Sequence, residues 1–212
     1  MGVNELKKWN YAHLLHKPCT EYDWITILKS LPRAETIHMK IHHSDLTIPP
    51  RAIILDFEGN PVFMVGIMIN NTLLSFYIKG NEHKDEFYCF ILQMLTSLKG
   101  AVYFTFSPHE EQEIKKMYQY LTYQGRTLSC YCTLEAIPII NMQLSKFESV
   151  LEALYSCHPQ MKITGDALFR NTRLVDQLFY AKKYNEVINH NYNCLENESI
   201  ILNKRWLKLY TI

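Results

Sequence analysis

The sequence predicts an α/β fold: a mixed sheet flanked by helices. Three observations carry that expectation. Apolar runs at 52–55, 62–69 and 73–78 follow one another with only turn residues between them, as in an antiparallel meander. From residue 81 onwards, segments of helical period alternate with further apolar runs, as in parallel units. Gly (7) and Pro (8) are too few in 212 residues to leave a long flexible linker.

The elements can be read in order. Residues 1–49 are rich in His and aromatic side chains, show weak periodicity, and read as an N-terminal extension packed on a domain spanning 50–212. Within it, Thr20 to Asp23 offer caps for a short helix through Trp24, Ile25, Ile27 and Leu28. Ala52-Ile53-Ile54-Leu55 is the first buried strand, and Asp56-Phe57-Glu58-Gly59-Asn60 after it is rich in turn formers. Val62 to Ile69 is the second strand and Leu73 to Ile78 the third, with Asn70-Asn71 as the hairpin break. A helix follows, capped by Asn81 or Asp85, with Phe87, Phe90, Ile91, Met94, Leu95 and Leu98 on one face and Gly100 closing it. Ala101 to Phe106 is the fourth strand. Ser107 caps the next helix, which carries Glu110, Ile114, Met117 and Leu121 and ends at Gly125. A short strand is expected around Leu128 to Leu134, a helix over 144–156, and two or three helices over 166–210.

Composition excludes several classes. Hydrophobic residues at 48% and charged residues at 20% are too apolar for a disordered chain. A net charge of +1 excludes a polycationic binder. That balance is uneven: residues 51–159 hold 8 basic and 11 acidic side chains, whereas residues 160–212 hold 8 and 5. No apolar window reaches the roughly 18 residues that span a bilayer, and the N-terminus has no apolar signal core, so a cytoplasmic location without membrane partners is expected. The six cysteines show no CxxC pair and read as thiols. No phosphate-binding glycine loop or Ser-nucleophile elbow occurs.

The sharpest feature is Asp56 and Glu58 at the end of a buried strand. Alternate strand residues point the same way, so both carboxylates share a face if the strand continues through them. Such a pair repels itself unless a cation neutralises it, and hard divalent ions prefer oxygen ligands. The same residues would also fit a solvated turn.

Arg51-Ala52-Ile53-Ile54-Leu55-Asp56-Phe57-Glu58-Gly59, followed by Phe63-Met64-Val65-Gly66-Ile67, resembles the opening motif of the DEDD-type 3′–5′ exonucleases of the ribonuclease H-like fold. The likeness is to their single-domain prokaryotic members and covers residues 50–210. It implies a ribonuclease H-like mixed sheet flanked by helices, and two Mg²⁺ or Mn²⁺ ions. The activity implied is hydrolysis of phosphodiester bonds at single-stranded 3′ ends of DNA or RNA. The second acid of that family falls at Glu110, where most relatives carry Asp; Ser107 with Glu110 also has capping-box spacing. The third motif falls in His190-Asn191-Tyr192-Asn193-Cys194-Leu195-Glu196. Two registers compete there: pairing His190-Asn191 puts the last acid at Cys194, and pairing Tyr192-Asn193 puts it at Glu196. The latter is adopted, with Tyr192 orienting the attacking water. An Asp that relatives often carry near residues 128–134 is replaced by Cys130-Tyr131-Cys132. The implied catalytic set is Asp56, Glu58, Glu110, Tyr192 and Glu196, the four acids holding metal. These departures also admit a catalytically degenerate relative that binds nucleic acid or protein.

Basic residues Arg170, Arg173, Lys182 and Lys183, with Lys204, Arg205 and Lys208, lie among Phe169, Phe179, Tyr180, Tyr184 and Trp206. Charges of this kind pair with phosphates and rings stack on unpaired bases, although a solvated helical face has the same composition. His38, His42 and His43, or Cys130 and Cys132 with Cys157-His158, are further combinations able to hold zinc in an interaction module.

Overall fold

The computed structural model describes residues 23–126, 137–146, 148–159, 166, 168 and 171–206. A single six-stranded sheet organises them. Its strands are β1 (His38–His43), β2 (Ala52–Glu58), β3 (Met64–Ile69), β4 (Thr72–Tyr77), β5 (Val102–Thr105) and β6 (Ile139–Asn141). The order across the sheet is β1-β4-β3-β2-β5-β6. The first four strands in that order pair antiparallel, whereas β2, β5 and β6 run parallel. This is the mixed α/β sheet expected from the sequence.

The meander forms because its turn is local and its strands are apolar on both faces. Asn70-Asn71 joins β3 to β4, with Ile69 opposite Thr72 and Asn70 at φ 53°, a conformation Asn tolerates. The return from β4 to a parallel β5 needs a crossover, supplied by α2 (Lys84–Ser97). Helix α3 (His109–Tyr123) follows β5 and ends in a Schellman arrangement. There Gly125, at φ 67°, lets its own N–H reach the Thr122 carbonyl while the Arg126 N–H reaches that of Leu121.

Both faces of the sheet are covered. On one face Ile53, Leu55, Ile67, Phe76 and Tyr103 pack against Phe87, Phe90, Ile91 and Met94 of α2 and Ile114, Met117 and Leu121 of α3. On the other face Ile54, Met68, Leu73 and Phe104 pack against Ala153 and Leu154 of α4 (Val150–Cys157) and Leu195 and Ile201 of α6 (Tyr184–Ile201). Helix α5 (Thr172–Tyr180) precedes α6, and its Phe179 stacks on Phe63 with ring centroids 3.8 Å apart. A π-helical turn, Leu202–Trp206, continues α6.

Several boundaries differ from the sequence reading for physical reasons. Strand β2 runs on through Glu58, because Asp56 to Glu58 keep their ladder to Gly66 through Met64 instead of turning away. Residues 38–43 form an edge strand along β4, so part of the N-terminal extension belongs to the sheet itself. His38 and His42 therefore share a strand face but stand about 13 Å apart along it, instead of one helical turn apart; His38 packs on Tyr77 and His42 on Tyr192. Asp23 caps α1 (Trp24–Ser30) by accepting from Thr26 N–H. Ser149 and Glu152 form a capping box that starts α4 at Val150, later than expected, leaving Leu144 exposed. Asn81 begins a 3₁₀ turn ahead of α2 and donates to the Tyr180 hydroxyl instead of capping. The strand expected at 128–134, with Cys130 and Cys132, lies outside the described residues. Among the described residues, no helix is long and apolar enough to cross a membrane.

Candidate metal centre

Strand β2 places the first two acids. Asp56 and Glu58 lie two residues apart on the face covered by α6, and both are buried. Glu110 enters from the first turn of α3, directly after β5, the parallel neighbour of β2. Parallel strands open their carboxyl ends to ligands at such a junction. Glu110 accepts from the Ser107 backbone N–H, and the Ser107 hydroxyl lies 3.4 Å from its Oε2. The helix-start contact and a place in the acid cluster thus coexist in one side chain.

Helix α6 supplies the rest, in a register the sequence reading did not adopt. It begins at Tyr184, so residues 190–196 lie mid-helix instead of at a helix start. His190, Asn191, Cys194 and Glu198 are all buried on the side facing the acids. Asn191 and Glu198 are seven residues apart, two helical turns, which brings them onto one face. Glu196 is five residues from Asn191 and points elsewhere: Ser44 donates to its carboxylate at 2.6 Å. Tyr192 lies on the β1 side, its ring stacked on His42 with centroids 5.3 Å apart. The structure thus brings together Asp56, Glu58 and Glu110 of the predicted set and does not bring in Tyr192 or Glu196. It follows the alternative register, with Cys194 at the site and Glu198 one turn beyond.

Asn191 explains an otherwise plain glycine. Its side chain lies across β3, donating to Asp56 Oδ2 at 2.9 Å and accepting from the Ser75 hydroxyl at 3.0 Å. Gly66 stands between Asp56 and Ser75 in the ladder, and a Cβ there would sit 2.0 Å from Asn191 Oδ1. The missing side chain makes room for the amide.

His190 is held from the other side. Its Nδ1 lies 2.8 Å from Asp166 Oδ2, and its Nε2 lies 3.7 Å from Glu58 Oε1 and 3.7 Å from Cys194 Sγ. Asn193 also donates to Asp166, at 3.1 Å. Burial raises the Asp166 carboxyl, but bonds from His190, Asn193 and the Leu168 backbone outweigh it and leave it below its ordinary value. An ionised carboxylate only accepts, so His190 Nδ1–H is the donor in this pair.

The electrostatics are those of crowded, dry carboxylates. Burial pushes Asp56 up to about 6, against His190 and the bonds from Glu58 and Asn191. Burial and the Asp56 charge push Glu110 up to about 8. Glu58 and Glu198 are raised well above the usual carboxylate range, first by burial and then by the neighbouring acids. Burial likewise raises the Cys194 thiol. Among the described residues, no lysine or arginine pairs with any of these four acids, and Glu198 Oε2 is buried without a hydrogen-bond partner. Four oxygen donors that no described lysine or arginine neutralises, with His190 as the one basic side chain described beside them, fit a hard divalent cation. Glu58, His190 and Cys194 also present ligand atoms within 4.8 Å of one another.

The predicted substrate contacts are less coherent. Arg173, in the first turn of α5, and Lys182, at the α5–α6 junction, are exposed, and Lys183 pairs with Glu186 at 3.2 Å. Arg170 lies outside the described residues. Arg205 is committed to a two-pronged pair with Glu148 at 2.7 and 2.9 Å, and Phe179 is core. Glu198 and Asp166 were the members missed from sequence; the usable signal for Glu198 was its spacing of seven from Asn191. No protein-family model, curated protein or solved structure matches the chain.

Proposed function

We propose that the chain is a metal-dependent 3′–5′ exonuclease of ribonuclease H-like fold, acting on phosphodiester bonds of DNA or RNA. One observation carries this reading: Asp56, Glu58, Glu110 and Glu198, drawn from β2, α3 and α6, converge in a buried cluster at the carboxyl ends of parallel strands. An antiparallel meander leading into a parallel pair is compatible with that fold. The four acids would hold Mg²⁺ or Mn²⁺, two ions on the family pattern. Bound there, divalent ions stabilise charge on a phosphate and lower the pKa of water. The chain's own part is orientation: Asn191 fixes the Asp56 carboxylate, and Ser107 fixes Glu110. Arg173 and Lys182 supply exposed positive charge for the backbone of a single-stranded 3′ end.

The test is digestion of a 5′-labelled single-stranded oligonucleotide with Mn²⁺ or Mg²⁺. Stepwise shortening from the 3′ end is expected, and its loss in Asp56→Ala with an unchanged circular dichroism spectrum. Equal activity in both proteins would sink the site.

A second reading, a catalytically silent module that binds nucleic acid or protein, is favoured by a specific observation. The Asn191 amide already caps Asp56, and a thiol stands at Cys194, where the His-Asn register calls for an acid. Oligonucleotide binding without cleavage under Mn²⁺ would support it.

A further inference from the structure

We propose that Glu58, His190 and Cys194 form a zinc site, with Asp166 as the group that orients the histidine. This assignment does not depend on hydrolysis. It starts from the ligand atoms. Zinc bonds His nitrogen at about 2.0–2.1 Å and Cys sulfur at about 2.3 Å, which in tetrahedral geometry separates neighbouring ligand atoms by roughly 3.3–3.6 Å. His190 Nε2 lies 3.7 Å from Cys194 Sγ and 3.7 Å from Glu58 Oε1. Two of the three donor pairs therefore already stand almost at the spacing that one tetrahedral ion requires, and the third, Glu58 with Cys194, lies within 4.8 Å.

The surroundings point the same way. Zinc-bound histidines typically pass their other ring N–H to a carboxylate, which fixes the tautomer and sharpens the lone pair aimed at the metal. Asp166 does this at 2.8 Å and is itself held by Asn193 and by the Leu168 backbone. His190 and Cys194 are four residues apart on α6, so one rigid helix sets two ligands while β2 sets the third. All three ligands are less than a tenth exposed. Thiolate and imidazole are poor partners for Mg²⁺ and good ones for zinc. A cysteine here therefore moves the preference of this corner away from the hard ion that the all-oxygen set would select. Binding exchanges the Cys194 thiol proton for the metal. Glu58 is common to both sets, so the zinc corner adjoins the acids.

The experiment uses the full chain, stripped with chelator, and titrates it with Co²⁺ and then with Zn²⁺. The expected result is one high-affinity Co²⁺ with a thiolate-to-cobalt charge-transfer band and the strong visible bands of a tetrahedral ion, both erased by Zn²⁺. Cys194→Ser should lose the charge-transfer band. Asp166→Asn should keep the stoichiometry but weaken Zn²⁺ binding by about 10–100-fold. If Cys194→Ser does not fold, the Asp166→Asn titration decides alone. A wild-type spectrum without a thiolate band, a band that survives in Cys194→Ser, or unchanged affinity in Asp166→Asn would each overturn the proposal. Oligonucleotide cleavage enters none of these readouts, so the zinc assignment and the nuclease reading stand or fall separately.

Discussion

Replacing Glu110 by Gln should make the metal-free protein more stable at neutral pH while abolishing the proposed Mn²⁺-dependent cleavage. Burial and the Asp56 charge hold the Glu110 carboxyl at about 8, against an ordinary value of 4.5. Between those two values the unfolded chain has released this proton and the folded chain has kept it. The folded state binds more protons there, so its stability falls as pH rises from about 4.5 to about 8. Integrating that shift gives a cost of roughly 3 kcal/mol at pH 7 and under about 1 kcal/mol at pH 5. Glutamine keeps the size and a carbonyl acceptor for Ser107 and has no proton to lose. Glu110→Gln should therefore gain up to roughly 3 kcal/mol at pH 7, or about 6–12 °C in melting temperature for a chain of this size, and little at pH 5. The assay is thermal unfolding of both proteins in chelator at the two pH values, repeated with Mn²⁺. Mn²⁺ should raise the wild type and leave the variant nearly unmoved. A variant less stable at pH 7, or stabilised equally at both pH values, would refute the reasoning, because the cost would then not be the charge.

Other perturbations follow from the same geometry. Gly66→Ala should cost about 1–3 kcal/mol in urea unfolding, because its Cβ meets Asn191 Oδ1 at 2.0 Å; adding Asn191→Ala should recover part of the loss, and strict additivity would contradict the contact. Glu198→Gln should bring Mn²⁺-dependent cleavage to the background rate, whereas Glu196→Gln and Tyr192→Phe should leave it intact. The reverse pattern would restore the register that the helix disfavours. Arg205→Ala should lower stability, through the loss of its pair with Glu148, without changing oligonucleotide affinity; a fall in affinity alone would return Arg205 to the substrate path.

What was legible in the sequence tracks how local each signal is. Asp56 and Glu58 could be placed on one face because strand alternation needs only two residues of spacing, and their strand was marked by β-branched neighbours. Glu110 was legible because a helix start after an apolar run is a local event. Glu198 was not: Val187, Ile188 and Leu195 mark the buried side of α6, but placing a carboxylate on that side requires knowing that one unbroken helix begins at Tyr184 and runs past residue 198. Asp166 reaches His190 across 24 residues, and no periodicity encodes that contact. Strand β1 escaped because an edge strand buries little: four of its six residues are exposed, and of those only Ile41 is apolar. Strand β6 is only three residues long. The charge split between the middle and the end of the chain reads differently in three dimensions: the acids that matter are buried together, and Glu198 joins them from the basic segment.

The central claim is that these acids form a cation site. It is tested most directly by anomalous diffraction from crystals of the full chain soaked in Mn²⁺. The account predicts a peak bounded by Asp56, Glu58, Glu110 and Glu198, with the Asn191 amide still fixing Asp56. No peak there, with the four carboxyls left in contact with one another at a Mn²⁺ concentration that saturates any cleavage, would contradict it.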